Sequence, residues 1–354
     1  MLTYIPPAYR VRLFLSVDLV GSTAYKSRSD DRNLSWLKAF QKFYSEFPAL
    51  FTAEFTRSRE ARRHLDGDIT ECGPKVWKTI GDEILFVNRV DTVVELGTYV
   101  HAFAEALRAF GDRIRADEGQ LDAKGNAWVA AFPSPNCSIR LSREGEQDAL
   151  SGRAELPTEE LEKEVDDNPG AFDFLGKGID GGFRIARNST TERLTVSPAL
   201  ALLLARAHKN RDTTGFECRF HFSKMEALKG VLGGKPYPVI SMSTSRSEEK
   251  REFEELEAQL LRLPHLTNND KLLAYLEKFV KMHAIEEPIV KMNSGAEPGP
   301  EPAHYKSYLS HLENERQRQE TEIEAGSDGV NDTGDGDVQA VPADVINRAN
   351  DELS

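Results

Sequence analysis

Short apolar runs typical of strands alternate, over the first two-thirds of the chain, with longer segments that repeat apolar residues at helical spacing. The first run is 11–20, VRLFLSVDLV, and a helical segment at 30–56 follows it. Two strands then flank Gly81-Asp82, a dipeptide typical of a tight hairpin. A helix at about 91–116 and a strand at 126–132 complete the series. The order strand, helix, strand, strand, helix, strand predicts an α+β protein, a ferredoxin-like αβ sandwich with additions.

The segments added to this sandwich are predicted from the same sequence patterns. Residues 142–170 are charged and contain proline, which favours an exposed insertion or a long loop. After that segment, the pattern predicts a helix at 179–188, a strand at 194–196, a helix at 199–209 and an antiparallel pair of strands at 216–222 and 237–242.

Composition changes after about residue 245. Two amphipathic helices are predicted at 247–263 and 268–285, separated by Pro264. From about residue 293 the chain is rich in Gly, Pro, Asp and Glu and poor in aromatic residues, which is typical of disorder. We therefore predict a folded domain at 1–245, a helical extension at 246–292 and an acidic, largely disordered tail at 293–354.

Charge is distributed unevenly. The 354 residues include 45 Lys and Arg against 58 Asp and Glu, a net charge of −13. The stretch from Ser294 to Ser354 alone holds 14 acidic and 4 basic residues. Net acidity argues against a nucleic-acid partner bound through phosphates. A membrane span and a secretion signal are not expected, and three scattered cysteines fit neither a disulfide framework nor a zinc site. We expect a soluble, cytoplasmic protein.

Two carboxylates stand out because they lie in or beside apolar strands. Asp18 interrupts the first strand, and Asp82 occupies the hairpin tip. An ionised carboxylate in such a place is costly unless a positive group pairs with it. Asp82 alone is also explained by ordinary turn chemistry. Together the two could hold hard divalent cations, Mg²⁺ or Mn²⁺, an arrangement that suits in-line attack at phosphorus.

Three stretches resemble the motifs of the class III nucleotidyl cyclases. Residues 14–23, FLSVDLVGST, are similar to the first metal motif of that family, and residues 77–83, WKTIGDE, to the second. Residues 172–185, FDFLGKGIDGGFRI, resemble the element that precedes and opens a helix in that family. The three occur in the family's order, and the likeness covers roughly residues 10–242. It implies the fold of a class III cyclase catalytic domain.

The resemblance implies a set of metal ligands and substrate contacts. Asp18 and Asp82 would bind two divalent cations, with the Leu19 carbonyl as a further ligand. Lys78 and Asp173 fall where family members contact the base.

Three further positions concern the sugar and the phosphates. Arg184 falls where an arginine stabilises the transition-state charge on the α-phosphate, a role that suits its planar fork of donors. Asp180 replaces an asparagine that usually orients the ribose, which is a departure from the family pattern. Lys229 or Lys235 would meet the β- and γ-phosphates. Taken singly, such lysines and arginines are usually solvated or belong to surface ion pairs, so these roles depend on the motifs occurring together.

Family active sites form across a homodimer interface. The metal-binding aspartates would come from one protomer, and Lys78, Asp173 and Arg184 from the other. Trp77 precedes Lys78 on a strand, so alternation predicts that it points to the opposite face and packs in the core.

The base is not fixed by hydrogen-bond types, because a Lys and Asp pair can read adenine, cytosine or uracil; pocket depth must decide. Aromatic residues of the first helix could form a wall that excludes purines, or could simply be core: Phe43, Tyr44, Phe47 and Phe51. The Ile-Asp-x-Gly-Phe-Arg variant at 179–184, the spacing of 64 positions between the aspartates and the lack of a sensor domain resemble the pyrimidine cyclases of bacterial Pycsar antiphage systems.

That second resemblance implies conversion of UTP, or of CTP, to 3′,5′-cyclic UMP or CMP plus pyrophosphate. The product would activate a separate effector protein after phage infection. Two alternatives stay open: an adenylyl cyclase that makes cyclic AMP, and a catalytically inactive cyclase-like module that binds nucleotide and signals through its C-terminal helices.

Overall fold

The computed structural model describes residues 4–28, 35–65, 73–141, 156–215, 218–244, 249, 252–253, 256–257, 260, 268–297 and 299–328. Contacts along the chain divide it into two units, residues 1–308 and 309–354.

A seven-stranded sheet forms the centre of the first unit, in the order β2-β3-β1-β4-β7-β9-β8. Neighbouring strands within this sheet pair antiparallel, except for β4 and β7, which are parallel. Strands β5 and β6 form a separate antiparallel pair. The strands are β1 Arg10–Val20, β2 Val76–Ile80, β3 Glu83–Val90, β4 Asp122–Phe132, β5 Cys137–Arg140, β6 Phe172–Leu175, β7 Arg193–Val196, β8 Phe220–Ala227 and β9 Pro236–Ser243.

Helices alternate with these strands and follow them along the chain, and the boundary between the two units falls within the last helix. They are α1 Ser22–Arg28, α2 Ser35–Arg62, α3 Val93–Glu118, α4 Glu159–Asp167, α5 Lys177–Ile185, α6 Pro198–Lys209, α7 Arg211–Thr214, α8 Asn269–Met282 and α9 Ala303–Asp328. The predicted α+β sandwich is therefore confirmed, and its sheet is mostly antiparallel. None of the helices that the structure describes is both long enough and apolar enough to cross a bilayer.

One face of the sheet packs against α2 and α3 and forms the larger core. Three of the four aromatic residues predicted either as core or as a wall of the base pocket lie here: Phe43, Phe47 and Phe51 are fully buried against Phe86, Phe103 and Phe110. Each such ring stabilises the fold by roughly 1.5–3 kcal/mol. The core interpretation of these three phenylalanines is confirmed. The fourth, Tyr44, is half-buried and packs against the same core.

The opposite face of the sheet is covered by α4, β6 and α5 and forms a second, aromatic-rich core. Its large members are Phe14, Trp77, Trp128, Phe132, Phe172 and Phe174. Arg12 of β1 also points to this face with only 1% of its side chain exposed, and it binds Glu162 (2.7 Å) and Asp166 (2.6 Å) of α4. Arg10 binds Glu159 and Asp166 in the same way.

The exposed insertion or loop predicted at 142–170 is wrong for residues 159–167, which form α4. Thr158 caps this helix, its hydroxyl accepting from the Leu161 amide at 3.1 Å. The acidic residues that indicate exposure in the sequence instead pair with Arg10 and Arg12 inside the protein. Residues 142–155 lie outside the described residues.

The structure of the C-terminal third agrees in part with the prediction from the sequence. The helix predicted at 268–285 is present as α8, which packs on α6 and contributes to the larger core. The helix predicted at 247–263 lies largely outside the described residues, and the domain boundary at 245 stays a prediction.

The acidic tail also differs from the prediction in one segment. Residues 303–328 form α9 rather than disordered chain, and residues 329–354 lie outside the described part. The middle of α9, residues 313–320, is rich in the helix-favouring residues Glu, Gln and Arg. Within this helix Arg316 binds Glu313 at 2.8 Å and Glu320 at 2.5 Å, spacings that support a solvated helix.

Candidate active site

Asp18 lies near the end of β1 and points away from the larger core. Its neighbours Val17 and Leu19 are buried among the helices, so strand alternation sends Asp18 to the other face. Lys124 of β4 lies beside it, with Nζ 3.2 Å from Asp18 Oδ2. Both side chains keep about a third of their surface exposed, 29% for Lys124 and 33% for Asp18.

The turn after β1 brings Asp82 to the same place. Gly21 has φ +86°, and a Cβ there would lie 2.4 Å from the Gln120 carbonyl oxygen, so glycine is required for the chain to turn into α1. Ser22, the first residue of α1, donates its hydroxyl to the Asp82 carboxylate. The Leu19 amide donates to the Asp82 carbonyl at 3.0 Å. Two motifs far apart in sequence thus meet at one end of the sheet.

A third carboxylate, Glu83, directly follows Asp82 in the sequence. It is the register partner of Asp18 across β1 and β3 and accepts a hydrogen bond from Ser16. Burial raises the pKa of Glu83; the Ser16 hydrogen bond opposes this effect, while the charges of Asp18 and Asp82 add to it. Both aspartates are therefore close enough to act electrostatically on the same carboxyl group.

A cavity of about 210 Å³ opens beside Asp18. Its lining comes from three strands and the turn after α5: Asp18, Glu83, Lys124, Gly125, Asn126, Ala186, Arg187 and Ser189. The lining carries two carboxylates and two cationic side chains, which makes the cavity suitable for small charged groups.

The donor set at this end of the sheet suits a hard cation. The carboxylates of Asp18 and Asp82 and the hydroxyl of Ser22 are oxygen donors, the ligands that Mg²⁺ and Mn²⁺ prefer. Across the described residues, no group of three or more His, Cys, Asp or Glu side chains is arranged to hold an ion by itself. Mg²⁺ sites commonly use one or two carboxylates and complete their shell with substrate phosphates and water, so two aspartates fit this mode.

Lys78 and Asp173 meet directly. Lys78 Nζ lies 2.8 Å from Asp173 Oδ1, and the side chains are 33% and 37% exposed. Asp173 Oδ1 also accepts from the Phe174 amide at 3.0 Å, which fixes the carboxylate against its own strand. The pair presents one donor group and one acceptor group side by side at the surface.

Trp77 packs in the second core with 3% of its surface exposed, so the core prediction is confirmed. The predicted separation from Lys78 is wrong. A bulge between Val76 and Lys78 breaks the alternation of β2. As a result, the Lys78 ammonium lies over the indole ring, 4.0 Å from its centroid.

Helix α5 presents Asp180 and Arg184 one turn apart on its exposed side. Its other side lies close to β4: a Cβ on Gly182 would be 2.2 Å from the Trp128 ring, so only glycine allows this approach. The start of α5 is held by Asn136, whose side chain accepts from the Gly178 amide at 3.0 Å. Arg184 is thus exposed on a helix whose position is fixed by its contacts with Asn136 and Trp128.

Lys229 and Lys235 are exposed in the turn between β8 and β9. Within the part of the chain that is described, no hydrogen bond or ion pair joins these lysines, the Lys78–Asp173 pair or Arg184 to the Asp18–Asp82 end of the sheet. The contacts of the described residues therefore bring together Lys78 with Asp173, and Asp82 with the turn after β1.

The sequence reasoning did not single out Lys124, Glu83, Ser22 or Arg187. Glu83 and Ser22 belong to the quoted motifs, and their polar side chains next to an aspartate were the available signal. Lys124 could be found only from the register that places it opposite Asp18 on β4. Arg187 lies two residues beyond the motif that contains Arg184.

Comparison with known proteins gives solved structures as matches. No family model matches the chain, and no curated protein matches it. The adenylyl cyclase CyaB from P. aeruginosa aligns with a TM-score of 0.40 and 9% identity over 68% of this chain and 97% of that one. The guanylate cyclase domain of RhGC from Catenaria anguillulae, in complex with GTP, aligns with 0.39 and 12% over 68% and 100%. A dimeric guanylyl cyclase domain from Blastocladiella emersonii aligns with 0.38 and 10% over 68% and 99%.

Proposed function

We propose that this chain is a metal-dependent nucleotidyl cyclase that converts a pyrimidine nucleoside triphosphate to its 3′,5′-cyclic monophosphate and pyrophosphate. UTP is the proposed substrate and CTP the second choice. The observation that carries the proposal is the convergence of Asp18 and Asp82, which come from two distant motifs. The third motif supplies Asp173, which pairs with Lys78.

Asp18 and Asp82 would hold the divalent cations, Mn²⁺ or Mg²⁺, with the Leu19 carbonyl as a further donor. When bound, such ions lower the pKa of the ribose 3′-hydroxyl and stabilise the departing pyrophosphate. Ser22 orients the Asp82 carboxylate by donating to it. Lys124 neutralises part of the Asp18 charge in the metal-free protein.

Lys78 and Asp173 would read the base. For uracil, Lys78 donates to O4 and Asp173 accepts from N3–H, so the base must insert between the two side chains and part their ion pair. Partial exposure of both groups supports this access. The choice of a pyrimidine rests on the resemblance of residues 179–184 to the Pycsar cyclases. The buried phenylalanines of α2 do not contribute to it, because they lie in the core.

Arg184 would stabilise the charge that develops on the α-phosphate, because its five donors suit phosphate oxygens. Asp180, one turn before it, would face the ribose. Lys229 or Lys235 would bind the β- and γ-phosphates. All four side chains are exposed in the single chain. That exposure supports an active site completed by a second copy, in which one protomer supplies the aspartates and its partner supplies Lys78, Asp173 and Arg184.

The biological setting follows from the same resemblance. The cyclic nucleotide would act in the cytoplasm, where nucleoside triphosphates are available, on a separate effector protein during antiphage defence. An adenylyl cyclase remains the second candidate, because the Lys78–Asp173 pair also complements N1 and the amino group of adenine.

The test is incubation of the purified protein with Mn²⁺ and each of the four nucleoside triphosphates in turn, with products identified by chromatography and mass spectrometry. Cyclic UMP or cyclic CMP from the wild type, abolished in Asp18→Asn, is the expected result. Cyclic AMP as the sole product would replace the pyrimidine proposal by the adenylyl cyclase. Absence of any cyclic product with every triphosphate would contradict the cyclase assignment.

A further inference from the structure

Trp77 contacts Lys78 and the two residues on either side of Asp173. Its indole Nε1 donates to the carbonyl of Phe172 at 3.0 Å, the residue directly before Asp173. Its ring packs edge-on against Phe174, the residue directly after Asp173, with centroids 4.9 Å apart. The Lys78 ammonium lies over the same ring, 4.0 Å from its centroid. One buried side chain thus contacts Lys78 and both chain neighbours of Asp173.

The strands that carry the pair belong to different sheets, so their spacing needs such a link. Lys78 lies on β2, the edge strand of the seven-stranded sheet. Asp173 lies on β6, which pairs only with β5 in the described structure. Backbone pairing therefore does not hold Lys78 opposite Asp173, whereas Trp77 joins the two strands through a hydrogen bond and an aromatic contact.

The indole face also orients the Lys78 side chain. A lysine on an edge strand is free to sample many rotamers in water. An ammonium over an indole face is attracted to it, and tryptophan is the strongest of the three aromatic partners. The bulge in β2 makes this contact possible because it brings Trp77 and Lys78 to the same side of the strand.

We infer that Trp77 is a positioning residue that sets the geometry of the Lys78–Asp173 pair and, through that pair, the choice of base. This inference rests on the proposed function of the pair as the base reader. The hydrogen-bond types of the pair suit adenine, cytosine and uracil alike, so its selectivity depends on where the donor and the acceptor are held once a base has parted them. A base edge whose polar groups lie out of position leaves one of them unpaired. Loosening the spacing is expected to reduce discrimination more than it reduces turnover.

The test compares Trp77→Phe and Trp77→Leu with the wild type, using the full chain, Mn²⁺ and each of the four nucleoside triphosphates. Phenylalanine keeps a ring beneath Lys78 but removes the hydrogen bond to Phe172; leucine removes both. For leucine we expect KM to rise about tenfold with kcat within about threefold, and the ratio of kcat/KM between the preferred and the other bases to fall at least about fivefold. Phenylalanine should give an intermediate loss.

Trp128→Phe is the matched control. Trp128 is fully buried in the same aromatic cluster and stacks on Phe14, with centroids 5.2 Å apart. Among the described residues it makes no hydrogen bond or ring contact with Lys78 or Asp173. The Trp128→Phe variant should therefore lower the midpoint of thermal unfolding as Trp77→Phe does, yet leave the ratio of kcat/KM between bases unchanged.

Three outcomes would each overturn the inference. Unchanged selectivity in both Trp77 variants, while Lys78→Ala alters it, would overturn the inference and leave the base site intact. An equal change of selectivity in Trp128→Phe would reduce Trp77 to a packing role and also overturn it. Unchanged selectivity in Lys78→Ala and Asp173→Ala would overturn the proposed base site and this inference with it. Should the wild type lack turnover, calorimetric affinities for the four triphosphates provide the same comparison.

Discussion

Replacing Lys124 with methionine removes the ammonium group beside Asp18 while keeping the side chain's apolar length. The two charges lie 3.2 Å apart, and each side chain is about a third exposed. In water their attraction is about 1 kcal/mol, and measured exposed pairs fall at or below that figure. A cation that binds Asp18 must compete with this pair. Loss of the Lys124–Asp18 ion pair should therefore raise the affinity for Mn²⁺ by roughly two- to fivefold, the equivalent of about 0.5–1 kcal/mol.

Titration of Mn²⁺ against the nucleotide-free protein, followed by electron paramagnetic resonance of the free ion, measures this affinity without reference to turnover. Lys42→Met is the matched control, because Lys42 pairs with Asp117 on the helical side of the protein. The control should bind Mn²⁺ as the wild type does, and Asp18→Asn should bind it more weakly. An affinity in Lys124→Met equal to or below that of the wild type would refute the competition between Lys124 and the cation.

Three further outcomes are expected. Arg184→Ala should lower kcat by about 10²-fold or more with little change in nucleotide affinity, since the arginine is assigned to the transition state; a parallel loss of affinity measured by calorimetry would contradict that role. Arg12→Met should lower the free energy of unfolding in urea by about 3–5 kcal/mol, because Glu162 and Asp166 lose a buried partner; a loss below about 1 kcal/mol would show that the network is not a buried one. Burial raises the pKa of Tyr9 to about 12, so the neutral phenol contributes stability in full below pH 10 and loses it as the pH rises through 12. Urea unfolding of Tyr9→Phe between pH 9 and 12 should show a smaller alkaline loss than the wild type, and an equal loss would contradict this contribution.

The order of strands and helices could be predicted from the sequence because apolar spacing depends on local geometry. The apolar run around Asp18 predicted a strand interrupted by that aspartate, and β1 spans this run with Asp18 near its end. The Gly81-Asp82 dipeptide predicted a hairpin, and β2 and β3 pair across it. The contact between Lys78 and Asp173 agrees with the expectation that both act on one base, although their roles stay a proposal.

Other features depend on contacts between distant segments, which no local pattern records. Helix α4 resembles an exposed insertion in sequence because its acidic residues look solvated, yet they pair with Arg10 and Arg12 of β1. Lys124 meets Asp18 only through the register of β4 against β1. The bulge in β2 reverses the direction expected for Trp77 relative to Lys78, and a single extra residue in a strand leaves no signature in its apolar pattern.

Mixing two inactive variants tests most directly whether an active site is assembled from two copies of the chain. Asp18→Ala lacks a metal ligand, and Arg184→Ala lacks the residue assigned to the α-phosphate, so each homodimer has two defective sites. In a mixed dimer one of the two sites contains every native residue. Equal amounts exchanged at random should recover about a quarter of the wild-type rate of cyclic nucleotide formation, as twofold symmetry requires. No recovery in a mixture shown by pull-down to contain mixed dimers would contradict the shared site.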